Sequence, residues 1–464
     1  MVSRLTLQDA SFLLHETATV PMHIGSLAIV DNSSGELTYD RLIEIVERRL
    51  ALVPRYRQKV RTVPLSLSRP VWVDDRDFDL TYHIRRSALP SPGTDDQLYD
   101  LVSRLSSQRL DRSRPLWEMY LIEGLSNDRL AIYTKSHSGL VDGEVSLDIG
   151  HVILDASRSP RAIADDQWHP DREPSGVGLA VGALAEIALR PGLGNVLVKR
   201  AAEEVGKSVK STLKDLAKPI ANFSTVTRSV PTSPLNVPNS LHRRFAVVKT
   251  PLSDYRRIRE RFECTINDVI LAVVAGALRN WMYSRGELLT ASTTLRGLVP
   301  MSVYVGDSAD SGPSEVSSFL IDLPVGEPNP VIRLSHVAHA TRNGNRRKPV
   351  RARTLVRLAG FAPASLHAMS VRAAVGFEPG AFNVMITNAP GPQVPMYIGG
   401  AQMVDMFPVS PLLRDQALSI GMTSYDGSVY YGLNADRDAM PDIEVLRSLL
   451  RESLEELLRV CDER

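Results

Sequence analysis

Along the first third of the chain, apolar positions recur in two alternating rhythms. Leu27-Ala28-Ile29-Val30 reads as a strand, and Leu42, Ile45 and Val46 fall at helical spacing within 42–52. A second helical rhythm runs from Leu98 to Arg109. Met119-Tyr120-Leu121-Ile122 and Leu130-Ala131-Ile132-Tyr133-Thr134 predict two further strands, divided by the polar loop Ser126-Asn127-Asp128. Just beyond them, Val145, Ile149 and Val152 predict a helix over 143–154.

The pattern changes after residue 155. Ser157-Arg158-Ser159-Pro160 opens a stretch that closes on Pro231-Thr232-Ser233-Pro234, with Ala-, Val-, Leu- and Lys-rich helices expected between Val177 and Leu216. This reads as a helical connector over 156–241. Interleaved strands and helices then resume. Arg244 to Val248 predicts a strand and Ile266 to Tyr283 a long, strongly apolar helix. Strands are expected at Leu298 to Val305, Ser318 to Leu323, Val384 to Thr387, Leu418 to Ser424 and Val429 to Asn434. The last two flank the hairpin signal Tyr425-Asp426-Gly427, and Ile443 to Val460 closes as an amphipathic helix. The expectation is an α/β protein of two similar lobes, 1–155 and 242–464, joined by the connector.

Composition narrows the function. A hydrophobic fraction of 43% and a charged fraction of 23% are those of an ordinary globular protein. A length of 464 residues fits two cores rather than one. The net charge of +1 provides no global field for nucleic acid, which is not expected as a partner. Cys264 and Cys461 are distant in sequence and suggest neither a disulfide framework nor a zinc site, in keeping with a cytoplasmic setting. The start carries no pattern of a secretory signal, and the apolar run 177–189 is interrupted by Glu186 and too short to span a bilayer.

One segment concentrates candidate chemistry: Lys135-Ser136-His137-Ser138-Gly139-Leu140-Val141-Asp142-Gly143. It sets polar and titratable groups at the end of an apolar strand, where a rigid backbone can aim side chains into a cleft. Taken alone, a single His before an Asp-Gly turn is also compatible with a purely structural part. Sequence around it decides the matter differently. The segment resembles the HHxxxDG motif of coenzyme A-dependent acyltransferases, and the chain as a whole resembles the bacterial wax ester synthase/diacylglycerol acyltransferase family. The likeness includes Asp9-Ala10-Ser11-Phe12, Pro21-Met22-His23-Ile24-Gly25, Pro54-Arg55-Tyr56-Arg57 and Arg114-Pro115-Leu116-Trp117-Glu118. Further along it includes Asn267-Asp268-Val269, Val299-Pro300-Met301-Ser302-Val303, Thr387-Asn388-Ala389-Pro390-Gly391-Pro392 and Ala435-Asp436-Arg437-Asp438.

The resemblance implies two chloramphenicol-acetyltransferase-like lobes with an active-site tunnel between them. It implies acyl-coenzyme A as donor substrate, diacylglycerol or a long-chain alcohol as acceptor, and no bound cofactor or metal. On HHxxxDG, His137 takes the first His, Ser138 the second, Asp142 the Asp and Gly143 the Gly. The family's second His is the general base for the acceptor hydroxyl, a task suited to imidazole. A serine hydroxyl is not basic near neutrality, so the motif lacks that group. Two readings of His137 stay open, a packing residue or a substitute base. Neighbouring side chains on an extended strand face opposite ways, which favours packing. Asp142 is expected to fix the loop and Gly143 to let the chain turn into the helix.

Pro115, Leu116 and Trp117 are expected near the site as tunnel wall, with ordinary core as the other reading. Asn267 and Asp268 open an apolar helix, either as a cap or, by resemblance, as a pair facing the tunnel. Asn388 belongs to a loop that the family places on the approach to the site. The basic run Arg342, Arg346, Arg347, Lys348, Arg351, Arg353 is a solvated face or a contact for anionic headgroups or coenzyme A phosphates. Two functions follow. The first is an acyl-coenzyme A-dependent O-acyltransferase making triacylglycerol or wax ester, peripheral on a membrane or lipid droplet where it associates. The second is a catalytically weak relative that binds acyl-coenzyme A or neutral lipid.

Overall fold

The computed structural model describes residues 3–64, 67–140, 148–161, 163, 166, 168–189, 230–304, 314–346 and 380–463. Asp142, Gly143, most of the expected connector helices and the basic positions 347–353 lie outside the described residues.

The first part of the chain runs β1 (Ser3–Arg4), α1 (Leu7–His15), β2 (His23–Asp31), α2 (Tyr39–Arg49), β3 (Gln58–Arg61) and β4 (Val71–Asp74). It continues with α3 (Leu80–His83), β5 (Ile84–Ala88), α4 (Asp95–Ser107), β6 (Trp117–Glu123), β7 (Arg129–His137) and α5 (Ile149–Val152). Of the helix expected over 143–154, only these last four residues are helical among those described. α6 (Gly176–Leu189) is the described part of the connector.

The second part runs β8 (Arg243–Pro251), α7 (Leu252–Phe262), α8 (Ile266–Ser284), β9 (Leu295–Tyr304), β10 (Ser314–Leu323) and α9 (Pro330–Arg346). β11 (Val384–Pro390), β12 (Tyr397–Ile398), β13 (Ala401–Val409), β14 (Leu418–Tyr425), β15 (Ser428–Asp436) and α10 (Ile443–Asp462) complete it.

Two six-stranded sheets form the lobes, in the orders β12-β13-β2-β7-β6-β5 and β10-β9-β11-β14-β15-β8, beside a small sheet β1-β4-β3. The sheets therefore exchange chain. Residues 397–409, expected within the 242–464 lobe, add two strands to the first sheet, with β13 antiparallel to β2 from Gln402↔Asp31 to Val409↔Gly25. Local sequence carries no sign of this partner choice, because a strand's pattern specifies its faces and not its neighbours.

Glycine makes the crossing possible. Gly421 and Gly432 face each other across β14 and β15. A Cβ at 432 would lie 1.8 Å from the Pro408 carbonyl oxygen, and one at 421 would lie 2.6 Å from Ser410 Oγ. Tyr425 then donates its hydroxyl to Met403 O at 2.8 Å, which ties β13 to the second sheet.

Each lobe has its own core. In the second, α8 buries an almost continuous apolar body, from Val269 to Met282, packed beside α9 and α10 in a core shared with β11, β14 and β15. A third, smaller cluster joins the lobes: Phe12, Val20, Met22 and Ile24 from one side meet Leu298, Phe382, Met385 and Leu413 from the other. The open edge at β8 is covered by α4, whose Ser107 and Ser103 hydroxyls accept from Arg243 N at 3.0 Å and Phe245 N at 2.8 Å. Two serines on a helix thus satisfy backbone donors that an edge strand would otherwise expose.

Candidate active site

β7 supplies the frame of the site. Its period of two sets Thr134 and Ser136 on one face and Lys135 and His137 on the other. β2 pairs antiparallel with it, Ile24 opposite Ser136 and His23 opposite His137. Ser138 opens the turn that follows. Both its backbone N–H and its hydroxyl donate to Met22 O, each at 2.8 Å. Met22 and Ile24 belong to the apolar cluster between the lobes, so Ser138 stands at the lobe boundary.

His137 faces the other way. Its Nδ1 accepts the Gly139 N–H at 3.0 Å, which leaves the proton of the neutral ring on Nε2. Nε2 is 3.9 Å from Glu16 Oε2 and makes no hydrogen bond among the described residues. Burial, with Arg112 adding to it, pushes the ring down to about 3, so it is neutral near pH 7. The lone pair a base would use is held by the backbone. Glu16 is clamped by the Arg112 guanidinium, and His23 Nε2 lies 3.9 Å from its other oxygen. The Glu16 side chain, His23 and His137 form a buried ionisable cluster behind the strand end, with the half-exposed Arg112 closing it from the solvent side.

Behind the same face, Lys135 is fully buried. Its ammonium pairs with Glu118 at 3.0 Å and donates to Leu105 O and Gln108 O, each at 3.1 Å, at the C-terminal end of α4. A cation here is favoured by the negative end of the helix dipole.

On the Ser136 face lies a different network. Asp148 Oδ1, at the N-cap of α5, accepts from Tyr56 OH at 2.9 Å and from Ser136 Oγ at 3.4 Å. Burial and the neighbouring carboxylate hold the Tyr56 phenol well above its ordinary range.

The remaining expected positions separate into groups. Asn388 Nδ2 donates to Asn267 Oδ1 at 3.3 Å, so these two half-buried amides from β11 and α8 meet. Asp268 is committed to the helix start. It completes a capping box with Thr265, and its Oδ1 accepts from Thr341 Oγ1 at 2.6 Å. Pro115 and Leu116 are buried, and Leu116 O accepts the His137 N–H at 2.9 Å. Trp117 turns into the first core. Its indole donates to Tyr56 O at 2.8 Å and stacks on His83 with centroids 4.6 Å apart. Asp142 and Gly143 are not among the described residues.

Sequence reasoning passed over Glu16, Arg112 and Asp148, and it included Ser136 in the candidate segment without giving it a part. Met22, His23 and Tyr56 lie inside segments that carry the family resemblance, but nothing local to them announces these contacts. Among the described residues, no group of three or more His, Cys, Asp or Glu side chains could hold a metal ion. No described helix is long and apolar enough to cross a membrane.

Comparison with known proteins places this arrangement. Residues 5–270 match the wax ester synthase/diacylglycerol acyltransferase catalytic domain, and residues 314–458 match the C-terminal domain of that family. A probable diacylglycerol O-acyltransferase of Mycobacterium tuberculosis, tgs3, is 48% identical over 265 residues, which are 57% of this chain and 98% of that relative. A second from the same species, tgs1, is 32% identical over 469 residues, covering 100% of this chain and 97% of that one. The solved wax ester synthase/diacylglycerol acyltransferase of Marinobacter aquaeolei VT8 superposes with a TM-score of 0.71 at 26% identity, covering 99% of this chain and 100% of that one. A condensation domain of the calcium-dependent antibiotic synthetase shares the fold at a TM-score of 0.58 and 16% identity, with coverage of 99% and 96%. With a catalytic-domain match over more than half of the chain and a full-length relative at 32% identity, these likenesses establish that the chain belongs to the wax ester synthase/diacylglycerol acyltransferase family.

Proposed function

We infer that the protein is an O-acyltransferase that moves a fatty acyl group from acyl-coenzyme A to diacylglycerol, or to a long-chain alcohol, forming triacylglycerol or wax ester. The observation that carries this is the full-length family match together with the position of Ser138 beside the apolar cluster between the lobes. Transfer is direct, in a ternary complex. The Ser138 hydroxyl donates to the Met22 carbonyl, which does not activate it as a nucleophile. Holding thioester and alcohol together at the lobe boundary supplies proximity, and polar groups there stabilise the developing oxyanion. The paired amides of Asn267 and Asn388 are the groups we assign to substrate orientation, while Leu116 O holds the His137 N–H at the end of β7.

The test is coenzyme A release by purified protein given a long-chain acyl-coenzyme A, with and without diacylglycerol or hexadecanol. Release that depends on the acceptor is expected. Tight binding of the thioester with no acceptor-dependent release would select the binding-only function instead.

The lipid substrates also imply a peripheral encounter with a lipid surface. Supporting it are the basic positions from Arg342 to Arg353 and the outward face of α6, where Val177 and Val181 are 75% and 59% exposed. Flotation with vesicles containing anionic phospholipid should recover the protein at low salt and release most of it at about 0.5 M salt, where screening shortens to a few ångströms. Binding unaffected by salt counts against the electrostatic part.

A further inference from the structure

The second sheet has two faces of different character. Val384, Ile386, Leu418, Ile420, Leu433 and Ala435 belong to the second core with α8. The residues alternating with them turn the other way. On that side one register row crosses five strands: Leu298, Met385, Ser419, Asn434 and Phe245, on β9, β11, β14, β15 and β8. Both ends of the row meet the first lobe. Leu298 and Met385 join Phe12, Val20, Met22 and Ile24 in the cluster between the lobes. Phe245 stands edge-on to Tyr99 with centroids 6.3 Å apart, and its N–H donates to Ser103 of α4. Beside that end, the Arg243 guanidinium donates to Thr19 O, just ahead of Val20. The first-lobe segment 19–24, whose Met22 carbonyl seats Ser138, is therefore tied to this side of the second sheet at β8 and at β9 and β11.

The ends of the row are apolar and its middle is polar. Ser419 is fully buried and Asn434 is 4% exposed. They lie directly opposite each other across β14 and β15, so their side chains share the face. Asn434 Nδ2 is already used, donating to Ser410 O at 2.7 Å where the chain leaves β13. Asn434 Oδ1 and Ser419 Oγ have no hydrogen-bond partner among the described residues. Two neighbouring groups left unpaired in an interior are costly, and a ligand that pairs both removes the cost. With its amide fixed by Ser410, Asn434 Oδ1 can only accept, while the Ser419 hydroxyl donates and accepts. Their complement is a neutral group with one donor and one acceptor. Oδ1 repels an anion, and a bare acyl chain has no polar atom to pair with either group.

We propose, on the acyltransferase reading, that Ser419 and Asn434 form a polar subsite on the second-lobe wall of the lobe boundary, binding a neutral substrate group with one donor and one acceptor. Two substrate groups have this chemistry: the hydroxyl of the acceptor, and a secondary amide of the pantetheine arm of acyl-coenzyme A. In either case the group donates to Asn434 Oδ1 and accepts from the Ser419 hydroxyl. The pair positions substrate and takes no proton.

Ser419→Ala separates the outcomes, because it deletes the hydroxyl and breaks no side-chain hydrogen bond among the described residues. Its urea midpoint without substrate is expected to equal or exceed the native one, since an unpaired buried hydroxyl has been removed. Its KM is expected to rise about 3–30-fold for one substrate at nearly unchanged kcat. A rise for diacylglycerol or hexadecanol alone assigns the acceptor hydroxyl, and a rise for acyl-coenzyme A alone assigns the pantetheine amide. Both KM values within about twofold of native overturn the proposal. A variant that is less stable without substrate, or does not fold, overturns it too, because the hydroxyl then serves the structure through a trapped water or another part of the chain. If the native protein releases no coenzyme A with any acceptor, the acyltransferase reading is at fault and affinity decides the subsite. Equilibrium binding of palmitoyl-coenzyme A and of diacylglycerol is then compared between native and Ser419→Ala protein. A loss of about 3–30-fold for one ligand supports the subsite, and equal affinities for both overturn it.

Discussion

Trp117→Ala is expected to destabilise the protein by about 3–5 kcal/mol, with little change in substrate KM for whatever fraction stays folded. The side chain is fully buried. It lies in the first core, flat against His83 and edge-on to Tyr56 with centroids 5.6 Å apart. Truncation would empty that space and strip Tyr56 O of its indole donor. Tyr56 also carries the hydroxyl that reaches Asp148 and Ser136, so the loss reaches the site through packing. Urea denaturation followed by far-UV circular dichroism measures the effect. A tunnel-wall role would give the reverse pattern, near-native stability with a changed KM for acyl-coenzyme A or acceptor, and that pattern would refute a core assignment.

Glu118→Gln should be of similar size, about 3–5 kcal/mol, because it leaves the buried Lys135 charge without its counter-ion. The two carbonyls at the end of α4 solvate the ammonium but do not neutralise it. Arg85, which pairs with Glu118 at 3.0 Å, would lose its partner too and is better placed to find water. The pH dependence has a definite sign. Burial lowers the Lys135 pKa, and Glu118 opposes that lowering. Removing Glu118 lowers it further, so between the folded value and the unfolded value near about 10.4 the unfolded state holds more protons. Stability of the variant then rises with pH across that window, more steeply than that of the native protein. Urea midpoints at pH 7 and pH 9 check this. Equal midpoints for variant and native protein at both pH values would show that the pair contributes nothing.

Much of the architecture was legible in the chain. The strands at β6, β7, β14 and β15 and the helices α4, α8 and α10 each announce themselves by period, because their buried faces select apolar residues at a fixed repeat. The short strands β3, β4 and β5 did not, having too few residues to establish a period. β13 was missed for another reason. Its neighbours are β2 from the other end of the chain and a glycine pair in the second sheet, and neither relation leaves a local trace.

The site divides in the same way. Sequence alone set which chemical groups are present: a serine where the family pattern has a basic imidazole, a preceding His137, and an Asn267-Asp268 pair at a helix start. Strand alternation was the ground for expecting His137 and Ser138 to turn apart, but the strand ends at His137, and the direction of Ser138 comes from its bonds to Met22 O in the turn. Only the tertiary structure decided what each group can do. It spent Asp268 on a capping box and Thr341, joined Asn267 to Asn388, and occupied the His137 lone pair with Gly139 N–H. It brought Tyr56, Ser136 and Asp148 together and left both nitrogens of the buried His151 ring without a partner among the described residues. The reason is physical. Side-chain identity and local period are properties of the chain, whereas basicity and hydrogen-bond capacity depend on burial and on partners from distant segments.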